Sequence, residues 1–300
     1  MTNKPLLNFK EIISLFLPKK INKSKILDVW RKKGDEALFL SKSSWSLALI
    51  SQLKKQEKDN SSVSIWIPSF FCNESLSMLR LTKAKLVFYP INESLEPNYD
   101  LFNELKEKNG KPDIFLLVHF FGKPIETVRT LEFCRSNNTW LIEDAVHCLA
   151  PSKKIGNSGD FILYSPHKLL PIPDGSVLVA RLKGPSKIPK EIIEKVFNKL
   201  EWKKLLINNN IKRDTFFWFF KQILMILGLR RYIKYPFNPV ESVTHNLTKP
   251  EISNISLRLL NVLHKKFHSI ALKRKYNYLF WENHFTKLGI NSSFNNIESI

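Results

Sequence analysis

Short apolar segments alternate with helical patterns between Val63 and Ala180, and this alternation restricts the chain to few folds. Strand-like segments lie at Val63–Ile67, Lys85–Tyr89, Ile114–His119, Trp140–Glu143, Phe161–Tyr164 and Ser176–Ala180. Helical spacing separates the earlier ones, at Ser75–Leu81, Tyr99–Glu107 and Ile125–Arg135. The pattern predicts a mostly parallel sheet with helices on both faces, which is a three-layer α/β/α domain.

Polar side chains follow the ends of several predicted strands. Ser69, His119, Asp144 and Lys168 lie at or just after such ends. Ligands of parallel sheets bind beside the carboxyl ends of the strands, so we expect a functional site there. His119 taken alone is more typical of a satisfied packing histidine than of a catalytic one.

The flanking segments complete the predicted organisation. Residues 1–40 read as peripheral, with a helix over Phe9–Leu17 that ends at Pro18. Ser43–Ser46 precede a helical pattern that runs through Leu53, and serine is a good N-cap. We predict four parts, namely an N-terminal helical segment (1–35), a large α/β domain (36–185), a basic aromatic-rich region (186–240) and a helical C-terminal segment (241–300).

Composition narrows the class of protein. The net charge of +20 calls for anionic partners such as phosphorylated substrates, a membrane surface or nucleic acid. Nucleic acid is the least expected partner because no helix-turn-helix, zinc-finger or RNA-binding signature occurs. Cys72, Cys134 and Cys148 have no paired spacing, which argues against disulfides and zinc and fits a reducing cytoplasm. The N-terminus shows no signal-peptide pattern and predicts an unprocessed chain.

Residues 181–235 form the most basic part of the chain. They carry 14 Lys or Arg and 4 Asp or Glu, a net charge of +10. Within them Thr215–Leu229 reads TFFWFFKQILMILGL, which is too short for a comfortable membrane span. Packing of this helix on the protein or in a subunit interface is favoured over peripheral membrane contact through 215–235. From Glu251 a second pattern predicts one long amphipathic helix that continues into the basic stretch Lys265–Lys275.

Asp144 and Lys168 together suggest chemistry that neither residue suggests alone. A single lysine among 47 Lys and Arg is most often a surface residue, and an acid after a strand is often a cap. Pyridoxal phosphate needs a lysine that holds its aldehyde and moves protons, and a carboxylate that keeps its pyridine nitrogen protonated. It also needs a helix N-terminus for its phosphate and a wall against its ring. Lys168 follows a strand in a loop whose prolines argue against a helix.

Several motifs in a fixed order resemble those of the sugar aminotransferase family named for DegT, DnrJ, EryC1 and StrS. The similar segments are IEDAVHCLA (142–150), GDFILYSPHKLL (159–170), PDGSVLVA (173–180), IWIPSFFCNESLSMLRLTKAKLVFYPIN (65–92), VHFFGKP (118–124) and the run from Asn246 to Glu251. The likeness covers roughly residues 35–280 and is weak across 181–240. It implies pyridoxal-phosphate-dependent transferase fold type I, with a small domain that is incomplete here because the family's chains continue past a position like Ile300.

The resemblance assigns roles to individual residues. Lys168 becomes the lysine that holds the cofactor covalently, and Asp144 the partner of the pyridine nitrogen. His147 replaces the glutamine that contacts the phenolic oxygen, so its protonation matters. Ser44 and the backbone of Trp45 fall at the phosphate site. Asn246 corresponds to an asparagine that reaches the phosphate across a homodimer interface.

Some positions depart from the family pattern. The ring-stacking aromatic aligns with Cys72, which reads as a small buried apolar residue, while Phe71 is one position away. The usual serine five residues before the lysine is Leu163, and Ser165 can take its place. Ser165-Pro166-His167-Lys168 is closer to class V aminotransferases and cysteine desulfurases.

The leading interpretation is an aminotransferase that uses pyridoxal phosphate and moves an amino group, with glutamate as the expected donor, to a nucleotide-linked keto-sugar of surface polysaccharide or secondary metabolism. Two alternatives stay open. One is another fold type I enzyme, of the class V or lyase kind. The other is a truncated or inactive homologue that acts as a binding protein.

Overall fold

A mixed sheet of seven strands organises the residues that the computed structural model describes, which are 6–16, 20–198, 211–228 and 250–290. The strand order is β1-β7-β6-β5-β4-β2-β3. The strands are β1 (Glu36–Leu40), β2 (Ser64–Pro68), β3 (Lys85–Tyr89), β4 (Ile114–Val118), β5 (Trp140–Asp144), β6 (Phe161–Tyr164) and β7 (Ser176–Ala180). Only β7 runs antiparallel to its neighbours, so the carboxyl ends of the other six strands lie at one edge. The mostly parallel sheet predicted from the sequence is confirmed.

Strand β1 is absent from the sequence prediction, which treated residues 1–40 as peripheral. Glu36–Leu40 pairs antiparallel with β7, and Glu36 lies opposite Ala180. The short run EALFL has little periodicity of its own. Its pairing with a segment about 140 residues further along the chain is what makes it a strand, and Phe39 and Leu40 become buried.

Ten α-helices surround the sheet in the described residues. They are α1 (Phe9–Phe16), α2 (Lys23–Leu27), α3 (Ser43–Glu57), α4 (Ser77–Leu81), α5 (Phe102–Asn109), α6 (Val128–Asn137), α7 (Lys190–Asn198), α8 (Ile211–Ile226), α9 (Asn254–Leu263) and α10 (Phe267–Lys287). Single 3₁₀ turns precede α4 and α5, at Asn73–Leu76 and Tyr99–Leu101. The helices predicted between the strands therefore exist, but α4, α5 and α6 begin two or three residues later than expected. Helix α1 begins at Phe9, as predicted.

Two local predictions at helix ends are wrong. Ser43 and Ser44 are not caps, because α3 starts at Ser43 and its N-cap is Lys42, which makes no side-chain capping bond. The single long helix expected after Glu251 is two helices, since a 3₁₀ turn at His264–Lys266 separates α9 from α10. Amphipathic spacing continues through that turn, so the apolar pattern alone does not reveal the break.

Both faces of the sheet are covered, as the three-layer prediction requires. One face carries Ile65, Ile142 and Leu178 and packs with residues of α3, α4 and α7. The opposite face packs on α5 and α6 beside β2, β3 and β4, and on α1, α2 and α9 beside β6 and β7. Alternation of side chains along each strand produces these two cores.

The aromatic helix α8 packs on the protein over part of its length. Trp218 and Phe219 are half-buried and contact the core cluster that includes residues of α9. No helix in the described residues is long and apolar enough to cross a bilayer. These contacts favour the interpretation of this helix as a packing element.

Candidate active site

The edge formed by the carboxyl ends of the parallel strands brings Asp144 and Lys168 near each other. Asp144 is the last residue of β5, is 3% exposed and lies opposite Leu163 of β6. Lys168 follows β6 and ends a 3₁₀ turn over Pro166–Lys168, so the expectation of a non-helical loop is wrong by that one turn. Ser165 accepts the Lys168 backbone N–H at 2.9 Å, which fixes the turn that holds the lysine.

The carboxylate of Asp144 is buried but has little hydrogen bonding. Its Oδ1 accepts the Val146 N–H at 3.0 Å, and no other described donor is bonded to it. Burial raises the pKa of Asp144, while the charge of Lys168 and the Val146 hydrogen bond oppose that rise. Asp144 and Lys168 interact electrostatically without forming a direct ion pair. This edge therefore holds an acid and an amine that are not paired with each other.

His147 is held as a neutral imidazole with a defined tautomer. The backbone N–H of Phe121 donates to Nδ1 at 3.1 Å, so the proton of the neutral ring lies on Nε2. The Phe121 ring stacks on the imidazole, with centroids 5.7 Å apart and planes 6° apart. Burial, followed by the charge of Lys168, lowers the pKa of His147 to about 4. His147 can therefore offer an N–H donor at neutral pH but not a positive charge.

The N-terminus of α3 lies at the same edge as Asp144 and Lys168. Ser44 is 5% exposed in the first turn, and the side chain of Trp45 is in the core. The neighbouring backbone is anchored, because the Ser41 N–H donates to Pro250 O at 2.7 Å and the Gly175 N–H donates to Ser41 O at 2.8 Å. Unsatisfied N–H groups at a helix start attract anions.

Lys42 is a residue of this region that the sequence analysis did not single out. It is the half-buried N-cap of α3. Burial lowers the pKa of Lys42, and the charges of Glu74 and Asp174 oppose that shift. A lysine before a helix is too common in a basic chain to have been noticed without the structure.

The residues after β2 that were predicted to pack against the cofactor ring differ in exposure. Cys72 is exposed, so its interpretation as a small buried residue is wrong. The backbone turns outward after Pro68, and Cys72 is the N-cap of the following 3₁₀ turn. Phe71 is half-buried against the core, whereas Phe70 is exposed and its ring lies 5.6 Å from that of Phe120. Phe70 and Phe71 therefore differ in exposure, and Phe71 is the one packed against the core.

Ser165 and Asn246 are the remaining site residues predicted from the sequence. Ser165 is fully buried, and its hydroxyl has no hydrogen-bond partner among the described residues. A buried hydroxyl without a partner is a destabilising feature that an occupant with a polar atom would relieve. Asn246 lies outside the described residues.

A buried hydrogen-bond network beside the site was not predicted. Glu143 Oε1 accepts His119 Nε2–H at 2.9 Å and the Gly156 N–H at 2.6 Å, and Oε2 accepts the N–H groups of Ser158 and Gly159. His119 Nδ1 accepts the Ile125 N–H, which fixes this tautomer. His119 is therefore a satisfied packing histidine, as expected. An acid and a histidine at adjacent strand ends were the only sequence signal for the network.

No group of His, Cys, Asp and Glu among the described residues could hold a metal ion. The residues at the edge suit an organic ligand better, because they offer one acid, one amine, one neutral N–H donor and a helix N-terminus. Among the described residues, Oδ2 of Asp144 accepts no hydrogen bond, and the hydroxyl of Ser165 has no hydrogen-bond partner. These two positions fit a heterocyclic N–H and a further polar atom of a ligand such as pyridoxal phosphate.

Comparison with solved structures shows that the chain has the fold of the pyridoxal-phosphate-dependent aminotransferases, known as fold type I. Spr1654 of Streptococcus pneumoniae, a proposed sugar aminotransferase solved in its PMP form, superposes with a TM-score of 0.64 at 15% identity, over 94% of this chain and 72% of that one. A DegT DnrJ EryC1 StrS aminotransferase from Brucella abortus superposes with a TM-score of 0.56 at 14% identity, over 94% of this chain and 65% of that one.

DesI, solved in the presence of its TDP-sugar product, gives a TM-score of 0.54 at 13% identity, over 93% of this chain and 59% of that one. At these identities the likeness concerns the fold. No family model matches the sequence. The fold type expected from the sequence motifs is thus confirmed by structure.

Proposed function

We propose that the protein is a pyridoxal-phosphate-dependent aminotransferase that acts on a nucleotide-linked keto-sugar. The observation that carries the proposal is the arrangement of Lys168, buried Asp144 and neutral His147 at one sheet edge, in a fold shared with sugar aminotransferases. Each of these side chains matches one requirement of the cofactor.

The roles follow from the environments of the side chains. The buried carboxylate of Asp144 would hold a proton on the pyridine nitrogen, and the Lys168 amine would hold the aldehyde carbon and act as the base for the substrate proton. His147 donates its Nε2–H, while Ser44 and the start of α3 bind the phosphate. The backbone of Trp45 lies beside them, although its N–H is donated to Lys42 O at 3.2 Å. Phe71 with the Cys72 backbone borders the ring face. When bound, the cofactor supplies the electron sink that makes loss of the substrate proton feasible.

The substrate part of the proposal rests on charge and on the comparisons. DesI was solved with a TDP-sugar product, and the net charge of +20 here suits a diphosphate-bearing ligand. We further propose glutamate as donor, a homodimer completed by Asn246 and a cytoplasmic location. The packing of Trp218 and Phe219 against the core makes peripheral membrane contact through 215–235 the weaker alternative.

An absorbance spectrum tests the reaction class. We expect protein supplied with pyridoxal phosphate to absorb in the visible range, and glutamate to bleach that band as the cofactor takes up the amino group. A nucleotide-linked keto-sugar should then restore the band. A protein that binds the cofactor but shows no change with any amino donor would favour the alternative of an inactive binding homologue.

A further inference from the structure

A cavity lies next to the turn that carries Lys168. It has a volume of about 440 Å³ and is bordered by α1, by α10 and by the segment that directly follows Lys168 in the chain. Leu169, Leu170, Leu263 and Ile270 supply an apolar wall, and Lys273 and Arg274 supply cations. The volume is within the range of small-molecule binding sites.

The one acid in this cavity is already engaged. Glu11 is 5% exposed, and its Oε1 lies 3.2 Å from Lys266 Nζ. The same carboxylate accepts the backbone and side-chain N–H groups of Asn8. The negative charge that the cavity contains is thus neutralised within its own wall.

Arg274 has no such partner. Its Nε is buried and makes no hydrogen bond with any described residue, and none of the ion pairs in the described ranges includes it. Burial alone lowers the pKa of Arg274, with no carboxylate to oppose the shift. Arg274 is half-buried, and charges partly withdrawn from water are normally paired, so this guanidinium can receive an anion.

We propose that this cavity binds a small organic carboxylate with an apolar body, whose carboxylate pairs with Arg274 and whose body lies on Leu6 and Ile270. A guanidinium matches the two oxygens of a carboxylate in a bidentate manner. The side chains of Leu6 and Ile270 offer the apolar body accessible surface beside the cations. The site is distinct from the proposed cofactor site and does not depend on the proposed function.

Titration calorimetry of the full chain with octanoate tests the proposal. We expect saturable binding at one site, and roughly tenfold or greater weakening in Arg274→Gln. Lys275→Gln is the matched control, because Lys275 is the next residue of α10, is exposed and does not line the cavity. Acetate lacks the long alkyl chain and 1-octanol lacks the carboxylate, so both should bind more weakly than octanoate.

Two measurements keep the test independent of folding defects. Arg274→Gln should melt at the wild-type temperature or higher, because it removes an unpaired half-buried charge. Octanoate should shift the methyl NMR signals of Leu6 and Ile270. Octanoate binding that is absent, or equal in wild type and Arg274→Gln, would overturn the proposal, as would a marked loss of stability in Arg274→Gln.

Discussion

Glu143 and Asp144 are adjacent acids on β5 with opposite environments. Successive side chains of a strand point to opposite faces of the sheet, so the two carboxylates enter different surroundings. Glu143 accepts four hydrogen bonds, whereas Asp144 accepts one and faces the charge of Lys168. The four hydrogen bonds of Glu143 therefore indicate a structural role. Asp144 accepts only one, so its carboxylate can still bind a ligand.

Replacement of Glu143 by glutamine tests the structural assignment. Burial tends to raise the pKa of Glu143, but the hydrogen bonds from His119, Ser158 and Gly156 outweigh it and lower the pKa below the usual 4.5. Because the folded-state pKa is the lower one, the contribution to stability is present above about pH 4.5 and is lost as the pH falls further. We expect Glu143→Gln to lower the free energy of unfolding by about 3 kcal/mol at pH 7.

Urea unfolding at pH 7 and at pH 3 measures this difference. The loss caused by Glu143→Gln should be smaller at pH 3, because this pH lies below the usual pKa of 4.5, where the stabilisation from the lowered pKa declines. Glu107→Gln is the control, since Glu107 is exposed on α5 and should have almost no effect. A Glu143→Gln protein as stable as wild type at pH 7 would show that the network does not hold the loops together.

The first turns of helix α3 form the proposed phosphate site. Ser44 and Ser46 both lie in its first turns and both are buried, but the hydroxyl of Ser46 has no partner among the described residues. If Ser44 contacts the phosphate, Ser44→Ala should weaken pyridoxal phosphate binding about tenfold and leave pyridoxal binding unchanged. Fluorescence titration with both compounds measures this.

Ser46→Ala is the matched control for Ser44→Ala on the same helix. It should leave the affinity for both compounds near the wild-type value. Equal losses of pyridoxal phosphate affinity in the two variants, or an equal loss for pyridoxal, would place the phosphate elsewhere.

Prediction from sequence succeeded for elements whose pattern is local. Strands β3, β6 and β7 were predicted with their observed bounds, because each is a compact apolar run between breaking residues. Strand β1 was missed because its stability comes from pairing with β7. The break between α9 and α10 was missed because the apolar spacing continues through His264–Lys266.

For the site, the sequence could predict position along the chain but not environment. Asp144 and Lys168 follow strand ends, and the parallel sheet brings such ends together. The tautomer of His147 depends on the backbone N–H of Phe121, a residue with a positive φ of 56° that no local pattern indicates. The exposure of Cys72 likewise depends on how the chain turns after β2.

At the scale of the whole molecule, fold and charge support the same interpretation. The sheet order with one antiparallel strand brings the ends of β5 and β6 and the start of α3 to one edge. The net charge of +20 makes the chain as a whole attractive to phosphorylated ligands. We propose that Lys168, among many lysines, is the residue that binds the cofactor.

Peptide mapping after borohydride reduction tests that claim most directly. Protein supplied with pyridoxal phosphate is reduced, digested and analysed by mass spectrometry, with Lys168→Ala and Lys154→Ala treated in parallel. We expect one stoichiometric pyridoxyl adduct on the peptide that contains Lys168, retained in Lys154→Ala and absent from Lys168→Ala. Label spread over surface lysines, or unchanged labelling in Lys168→Ala, would contradict the account.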